Sequence, residues 1–173
     1  MNPRLPIAIL ALSATALVGK AMHEVFVKDA YQDSGGTWTI GYGSTEGVKP
    51  GQTTTPEKAL ARLYKEAEGV YGKGVKRCVT ADLHQYEYDA LVDAAYNAGV
   101  GAVCSELSWR FNSAKTDADY AKACEFMRTW RATVNGRDCR IKENNCRGLV
   151  KRRNYEADMC LGKPVTFQQE SVV

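Results

Sequence analysis

The six cysteines of this chain, Cys78, Cys104, Cys124, Cys139, Cys146 and Cys160, all lie beyond residue 77, and no two form a CxxC pair. The sequence holds only two histidines, His23 and His84, so a zinc finger or an attached c-type haem lacks its ligands. Nor does the fold need cysteines to hold together. A domain of about 150 residues buries roughly 70% of its unfolded surface, enough for a core of its own. The cysteines therefore report on the compartment. An even number at wide spacing fits three disulfides formed in an oxidising environment. Six reduced, buried thiols in a cytosolic protein are the alternative, since free cysteine packs well as a small apolar side chain. Spacing does not choose among the pairings, although Cys139 and Cys146 flank a polar loop, RIKENN, that they could close.

The N-terminus agrees with export. Residues 5–19, LPIAILALSATALVG, carry no charge and run between Arg4 and Lys20. As one helix they would span about 22 Å, short of the roughly 30 Å hydrocarbon core of a bilayer. Ala, Ser, Thr and Gly dilute the strongly apolar residues. Three readings are open: a signal peptide cleaved at Ala14-Thr15-Ala16, an uncleaved and weakly hydrophobic signal anchor, and a buried helix of a soluble protein. Without Arg4 and Lys20 the chain holds 21 basic and 20 acidic residues, so the formal charge of +3 falls to +1. Neither value argues for nucleic acid as a partner. A composition of 45% apolar and 25% charged residues is ordinary for a globular protein. It excludes a disordered chain, a collagen-like one and a polytopic membrane protein.

Length and pattern predict a signal or anchor segment over 1–20, one domain over 21–162 and a tail over 163–173. Residues 24–33 read as helical before a break at Ser34-Gly35-Gly36. The β-branched and aromatic stretch Thr37-Trp38-Thr39-Ile40-Gly41-Tyr42-Gly43 reads as a hairpin region. A helix is expected from Thr55 as N-cap with Pro56 at its first position, ended by Gly72 and Gly74. A second is expected over 82–98, with Thr80 as a cap and Gly99 as its stop. Two more are expected over 117–130 and 147–161. The fold class predicted is α+β, mostly helical with a small β-hairpin region near residues 34–45.

Three residues carry candidate chemistry: Glu24, Asp33 and Thr39. Glycoside hydrolysis needs one protonated carboxyl for the leaving oxygen and one ionised carboxylate across the bond. Their environments must differ, and Val25, Phe26 and Val27 offer Glu24 an apolar surrounding. A threonine hydroxyl donates and accepts together, so it can orient an attacking water. No cofactor or metal is expected.

Glu24, eight residues, Asp33, five residues, Thr39 resembles the catalytic spacing of the T-even phage lysozymes, glycoside hydrolase family 24. The context is similar too. AYQD (30–33) followed by WTIGYGST (38–45) looks like the family's hairpin, DALVDAAYNAGVGAV (89–103) like its central helix, and CRGLVKRRNYEADMCLG (146–162) like the C-terminal helix of its disulfide-bearing, exported branch. The match covers residues 22–162, and the fold it implies is lysozyme-like.

The resemblance implies an endolysin that cuts the β-1,4 bond between N-acetylmuramic acid and N-acetylglucosamine in peptidoglycan. Glu24 would be the general acid. Asp33 would stabilise positive charge on the sugar and help hold the water that Thr39 positions, with inversion at the sugar carbon. It also implies the pairs Cys78–Cys104, Cys124–Cys160 and Cys139–Cys146, a holin or pinholin as functional partner, and a monomer working in the periplasm of a Gram-negative host. One departure stands out: Ser44 replaces the family's histidine, so an ion pair is absent there.

With residues 5–19 in the inner membrane, Glu24 would be held at the bilayer surface and the enzyme kept inactive until release. A freed segment could fold back on the domain as a helix. Two other functions stay open, a non-catalytic wall-binding protein and a lytic transglycosylase. His23 and His84 read as bystanders. The run Arg137, Arg140, Lys142, Arg147, Lys151, Arg152 and Arg153 reads either as a solvated face or as a surface for anionic wall or lipid.

Overall fold

The computed structural model describes residues 3–33 and 35–164, with His23 as backbone only. Most of the expected tail and the turn residue Ser34 lie outside the described residues. The helices are α1 (Ala14–His23), α2 (Pro56–Glu66), α3 (Lys73–Lys76), α4 (Gln85–Ala98), α5 (Val100–Ala102), α6 (Ser108–Asn112), α7 (Asp117–Phe126) and α8 (Arg147–Cys160). Two small antiparallel sheets accompany them, β1 (Val27–Gln32) with β2 (Trp38–Gly41), and β3 (Thr133–Val134) with β4 (Arg137–Asp138). This is the mostly helical α+β class that the sequence predicts.

Residues 24–33 are not helical, which corrects the sequence reading. Val27–Gln32 form a strand whose one edge pairs with β2, in the register Val27↔Gly41, Tyr31↔Thr39 and Gln32↔Trp38. Its other edge bonds residues 52–54: Ala30 N–H donates to Gln52 O at 2.9 Å, and Thr54 N–H to Lys28 O at 2.9 Å. Paired backbone on both edges outweighs a weak local preference, and Val25, Phe26 and Val27 suit a strand.

α2 starts as expected, with the Thr55 hydroxyl accepting from Lys58 N–H and Pro56 opening the helix. It does not stop at Gly72 and Gly74. The chain runs through a wide turn, Ala67–Gly72, straight into α3. A Cβ on Gly72 would stand 2.6 Å from the Tyr88 hydroxyl, and one on Gly74 2.5 Å from a Val100 methyl. These glycines serve close helix packing, not termination. Gly99 does end α4, but His84 caps the other end in place of Thr80, with Glu87 accepting the His84 N–H at 2.8 Å. The helical turns between Val100 and Asn112 escaped the sequence reading. α7 ends at Phe126, short of the expected Trp130.

α4 is the axis of the core. Every residue from Glu87 to Ala95 on it is buried, including three acids, Glu87, Asp89 and Asp93. Buried carboxylates need partners, and the N-terminal segment supplies them. Arg4 pairs with Glu87 at 2.8 Å, the Ser13 N–H donates to Asp89 at 3.0 Å, and Lys20 pairs with Asp93 at 2.7 Å. A fourth acid, Glu68, accepts the Leu12 N–H at 2.9 Å. Between these polar ties Ile7, Leu10, Leu12 and Ala16 enter the hydrophobic core. Residues 5–19 are thus a Leu5–Leu83 bridge, a 3-10 turn at Ile7–Ile9, an extended link and the start of α1. Among the described residues no helix is long and apolar enough to cross a membrane.

α8 packs along α4 and brings a second buried polar contact, Arg153 donating to Glu156 Oε1 at 2.7 Å, the side chains 1% and 0% exposed. Burial, with Asp93 adding to it and Arg153 opposing it, pushes the Glu156 carboxyl up to about 8. Here the folded chain keeps a proton that the unfolded chain gives up. Stability therefore falls as pH rises from the ordinary carboxylate range towards about 8. Melting curves between about pH 5 and pH 8 should show a smaller loss of Tm in Glu156→Gln than in the parent. Equal slopes would remove Glu156 as the source.

All six cysteines are paired, as Cys78–Cys104, Cys124–Cys160 and Cys139–Cys146, with Cα–Cα distances of 5.5, 5.4 and 4.9 Å. The first ties the end of α3 to the turns after α5, the second ties α7 to α8, and the third closes the loop after β4. Each contributes roughly 2–4 kcal/mol by restricting the unfolded chain.

Candidate active site

Glu24 is the first residue after α1. Its backbone is extended, and its N–H reaches back to Ala21 O at 3.3 Å. The helix end and the start of the hairpin thus fix where the carboxylate stands. Its side chain is 30% exposed and faces two elements. From α8, the Arg152 guanidinium comes within 3.8 Å of Oε1. From the turn after β2, the backbone at Gly43 comes close: a Cβ there would lie in ordinary contact, 3.6 Å from Oε2 and 3.9 Å from the Tyr96 hydroxyl. Gly43 also has φ +81°, which favours glycine.

That turn is closed by a pair of bonds, Ile40 N–H to Ser44 O at 2.9 Å and Ser44 N–H to Ile40 O at 3.1 Å. The Ser44 hydroxyl donates to Glu66 Oε2 at 2.7 Å, and Arg62 donates to Glu66 Oε1 at 2.9 Å. Ser44 is thus a neutral donor on a carboxylate that Arg62 already neutralises. The turn stays anchored to α2.

Asp33 closes the other end of the hairpin. Its Oδ1 accepts the N–H groups of Gly35 and Thr37, both at 2.9 Å, and its own N–H donates to Thr37 O at 3.0 Å. This is the local bonding that makes aspartate a turn residue. Thr39 is 4% exposed, and its hydroxyl donates to the same Thr37 oxygen at 3.1 Å. Asp33 and Thr39 are therefore joined through one carbonyl. Glu24 stands at the base of the hairpin and Asp33 at its turn end. The side chain of His23 lies outside the described residues.

Two residues belong to this site that the sequence reading assigned elsewhere. Arg152 sat in the basic run, where nothing set it apart from its neighbours. Tyr96 sat in the apolar stripe of α4. Burial, with the charge of Glu24 adding to it, pushes the Tyr96 hydroxyl up, so it stays a neutral hydrogen-bond donor. Its ring packs on Tyr71 at 4.9 Å between centroids.

Residues 21–156 match the phage lysozyme family, a span that holds the whole hairpin, Glu24, Asp33, Thr39 and Arg152. This chain belongs to the phage lysozyme family. It is a lysozyme, an enzyme that lyses peptidoglycan. The lysozyme is 32% identical over 152 residues to the SAR-endolysin of Pseudomonas phage phiKMV, covering 87% of this chain and 89% of that one. It is 30% identical over 168 residues to the SAR-endolysin of Escherichia phage 933W, covering 90% and 92%. Among solved structures it is similar to the endolysin from Escherichia coli O157:H7 phage FAHEc1. There the TM-score is 0.72 and the identity 32%, over 91% of this chain and 98% of that one.

Proposed function

We propose that this lysozyme is a signal-anchor-release endolysin in which Glu24 is the general acid. Glu24 gives its proton to the oxygen between N-acetylmuramic acid and N-acetylglucosamine as the bond from that oxygen to the sugar carbon breaks. Asp33 stabilises the positive charge that builds on the ring. A water held by Asp33 and Thr39 attacks the same carbon from the opposite face and loses its proton to Asp33, so the configuration inverts. The observation that carries this reading is the setting of Glu24. It is a partly exposed carboxylate at the meeting of α1, the Gly43 turn and α8, with the turn backbone brought up to it at a glycine of positive φ.

The tether follows from the same position. With residues 5–19 in the inner membrane of a Gram-negative host, Glu24 lies four residues beyond Lys20, at the bilayer surface. α1 is then undocked from α4 and the acid has no fixed place. Release lets the segment settle on Glu68, Glu87, Asp89 and Asp93. No cysteine lies in residues 1–20, so release needs no thiol exchange. The released enzyme is a periplasmic monomer acting on peptidoglycan, with a holin or pinholin as the partner that triggers release.

Digestion of peptidoglycan in ¹⁸O-labelled water tests the reaction. One ¹⁸O at a reducing N-acetylmuramic acid end, first seen as the inverted anomer, is the expected product. An anhydro end without ¹⁸O would make the protein a lytic transglycosylase.

A further inference from the structure

We propose that Lys20 is a positioning residue for Glu24, acting through a buried ion pair with Asp93 and the ring of Tyr96. The inference rests on Glu24 being the acid. Lys20 Nζ lies 2.7 Å from Asp93 Oδ1, with the two side chains 2% and 6% exposed. The same Nζ sits 3.6 Å from the centre of the Tyr96 ring. A lysine held by a carboxylate on one side and an aromatic face on the other has a defined direction.

The last turn of α1 has little else to fix it. Gly19, Lys20 and Ala21 are its buried residues, and Met22 is exposed. A glycine and an alanine methyl pack without setting an angle. Lys20 is therefore the one long buried side chain among the described ones of that turn, and Glu24 follows it by one helical turn. A cation in the last turn also suits the negative end of the helix.

Asp93 is itself held. Its Oδ2 accepts from the Asn97 amide at 3.1 Å, and that amide lies 3.4 Å from Glu156 Oε1, which Arg153 holds from α8 at 2.7 Å. The Tyr96 hydroxyl carries the arrangement to the Gly43 turn that Glu24 Oε2 also faces. Lys20 thus sets the end of α1 against α4. An apolar residue of equal length would bury as well, because a buried ion pair is no more stabilising than good apolar packing. It would not impose the direction. Displacement of a reacting group by about 1 Å can cost on the order of 10²-fold in rate.

Three variants test this, with Glu24→Gln beside them. Lys20→Met leaves Asp93 buried without its cation and should lower Tm. Lys20→Met with Asp93→Asn removes both charges and should recover most of that Tm. Kinetics on soluble peptidoglycan fragments are then read at a temperature where circular dichroism shows the double variant fully folded. Positioning predicts a kcat at least about tenfold below the parent with KM within about twofold. Lys20→Arg keeps the charge with a different reach and should give an intermediate kcat, so it serves if the double variant does not fold. A folded double variant, or Lys20→Arg, with kcat equal to the parent would reduce Lys20 to a structural role. Undiminished activity in Glu24→Gln would instead overturn the assignment of the acid.

Discussion

Glu24→Gln should lower peptidoglycan clearing by about 10²–10⁴-fold, the range for loss of a general acid, and leave the fold intact. The amide keeps the shape and cannot give up a proton to the leaving oxygen. Among the described residues the ion pair of Glu24 is the 3.8 Å approach of Arg152, with the carboxylate 30% exposed. Pairs of that kind are worth about 0–1 kcal/mol, so Tm should move by no more than about 3 °C for a domain of this size. Turbidity clearing and a melting curve on the same preparation check both halves. A variant that still clears would return the protein to the non-catalytic reading or move the acid elsewhere. A variant that fails to clear because it has unfolded would show in the melting curve.

A chain that begins at Leu17 should not fold. Ile7, Leu10 and Leu12 are 7%, 4% and 6% exposed. Their burial is worth about 1.5–3 kcal/mol each, or about 5–9 kcal/mol together. The deletion also strips Glu87 of Arg4, Asp89 of the Ser13 N–H and Glu68 of the Leu12 N–H. A whole domain is stable by only about 5–15 kcal/mol. Circular dichroism on heating should therefore show no cooperative transition, whereas the full chain melts as one unit. The same argument bears on processing. The intact mass of the active, exported protein should retain residues 5–16. An active product beginning at Leu17 would sink the uncleaved-anchor reading together with this account of the core.

What was legible in the sequence was what neighbours along the chain decide. Thr55 with Pro56 starts α2 and Gly99 stops α4, because caps act within one turn. The catalytic spacing was legible only through resemblance, since two acids nine positions apart say little alone. The cysteine pairs came the same way. Residues 24–33 misled because both edges of β1 are paired by segments further on. Gly72 and Gly74 misled because their reasons, Tyr88 and Val100, sit on other helices. Arg152 and Lys20 were hidden as two charges among many. Their meaning comes from Glu24 across to α8 and from Asp93, 73 positions along the chain. For residues 5–19 the sequence allowed both a membrane segment and a buried one, since both are apolar, and only the acids of α4 and Glu68 explain how a charged flank could be buried.

Those acids also set a timetable. Leu12 waits for Glu68, 56 residues later, Lys20 for Asp93, 73 later, and Arg4 for Glu87, 83 later. At synthesis rates of about 5–20 residues per second, the earliest of these partners emerges roughly 3–11 s after the residue it will hold, and the last after about 4–17 s. The first part of the chain to be made is thus among the last to be packed. During that interval an apolar run with a cation at each end has no seat on its own protein, and export machinery meets it unclaimed.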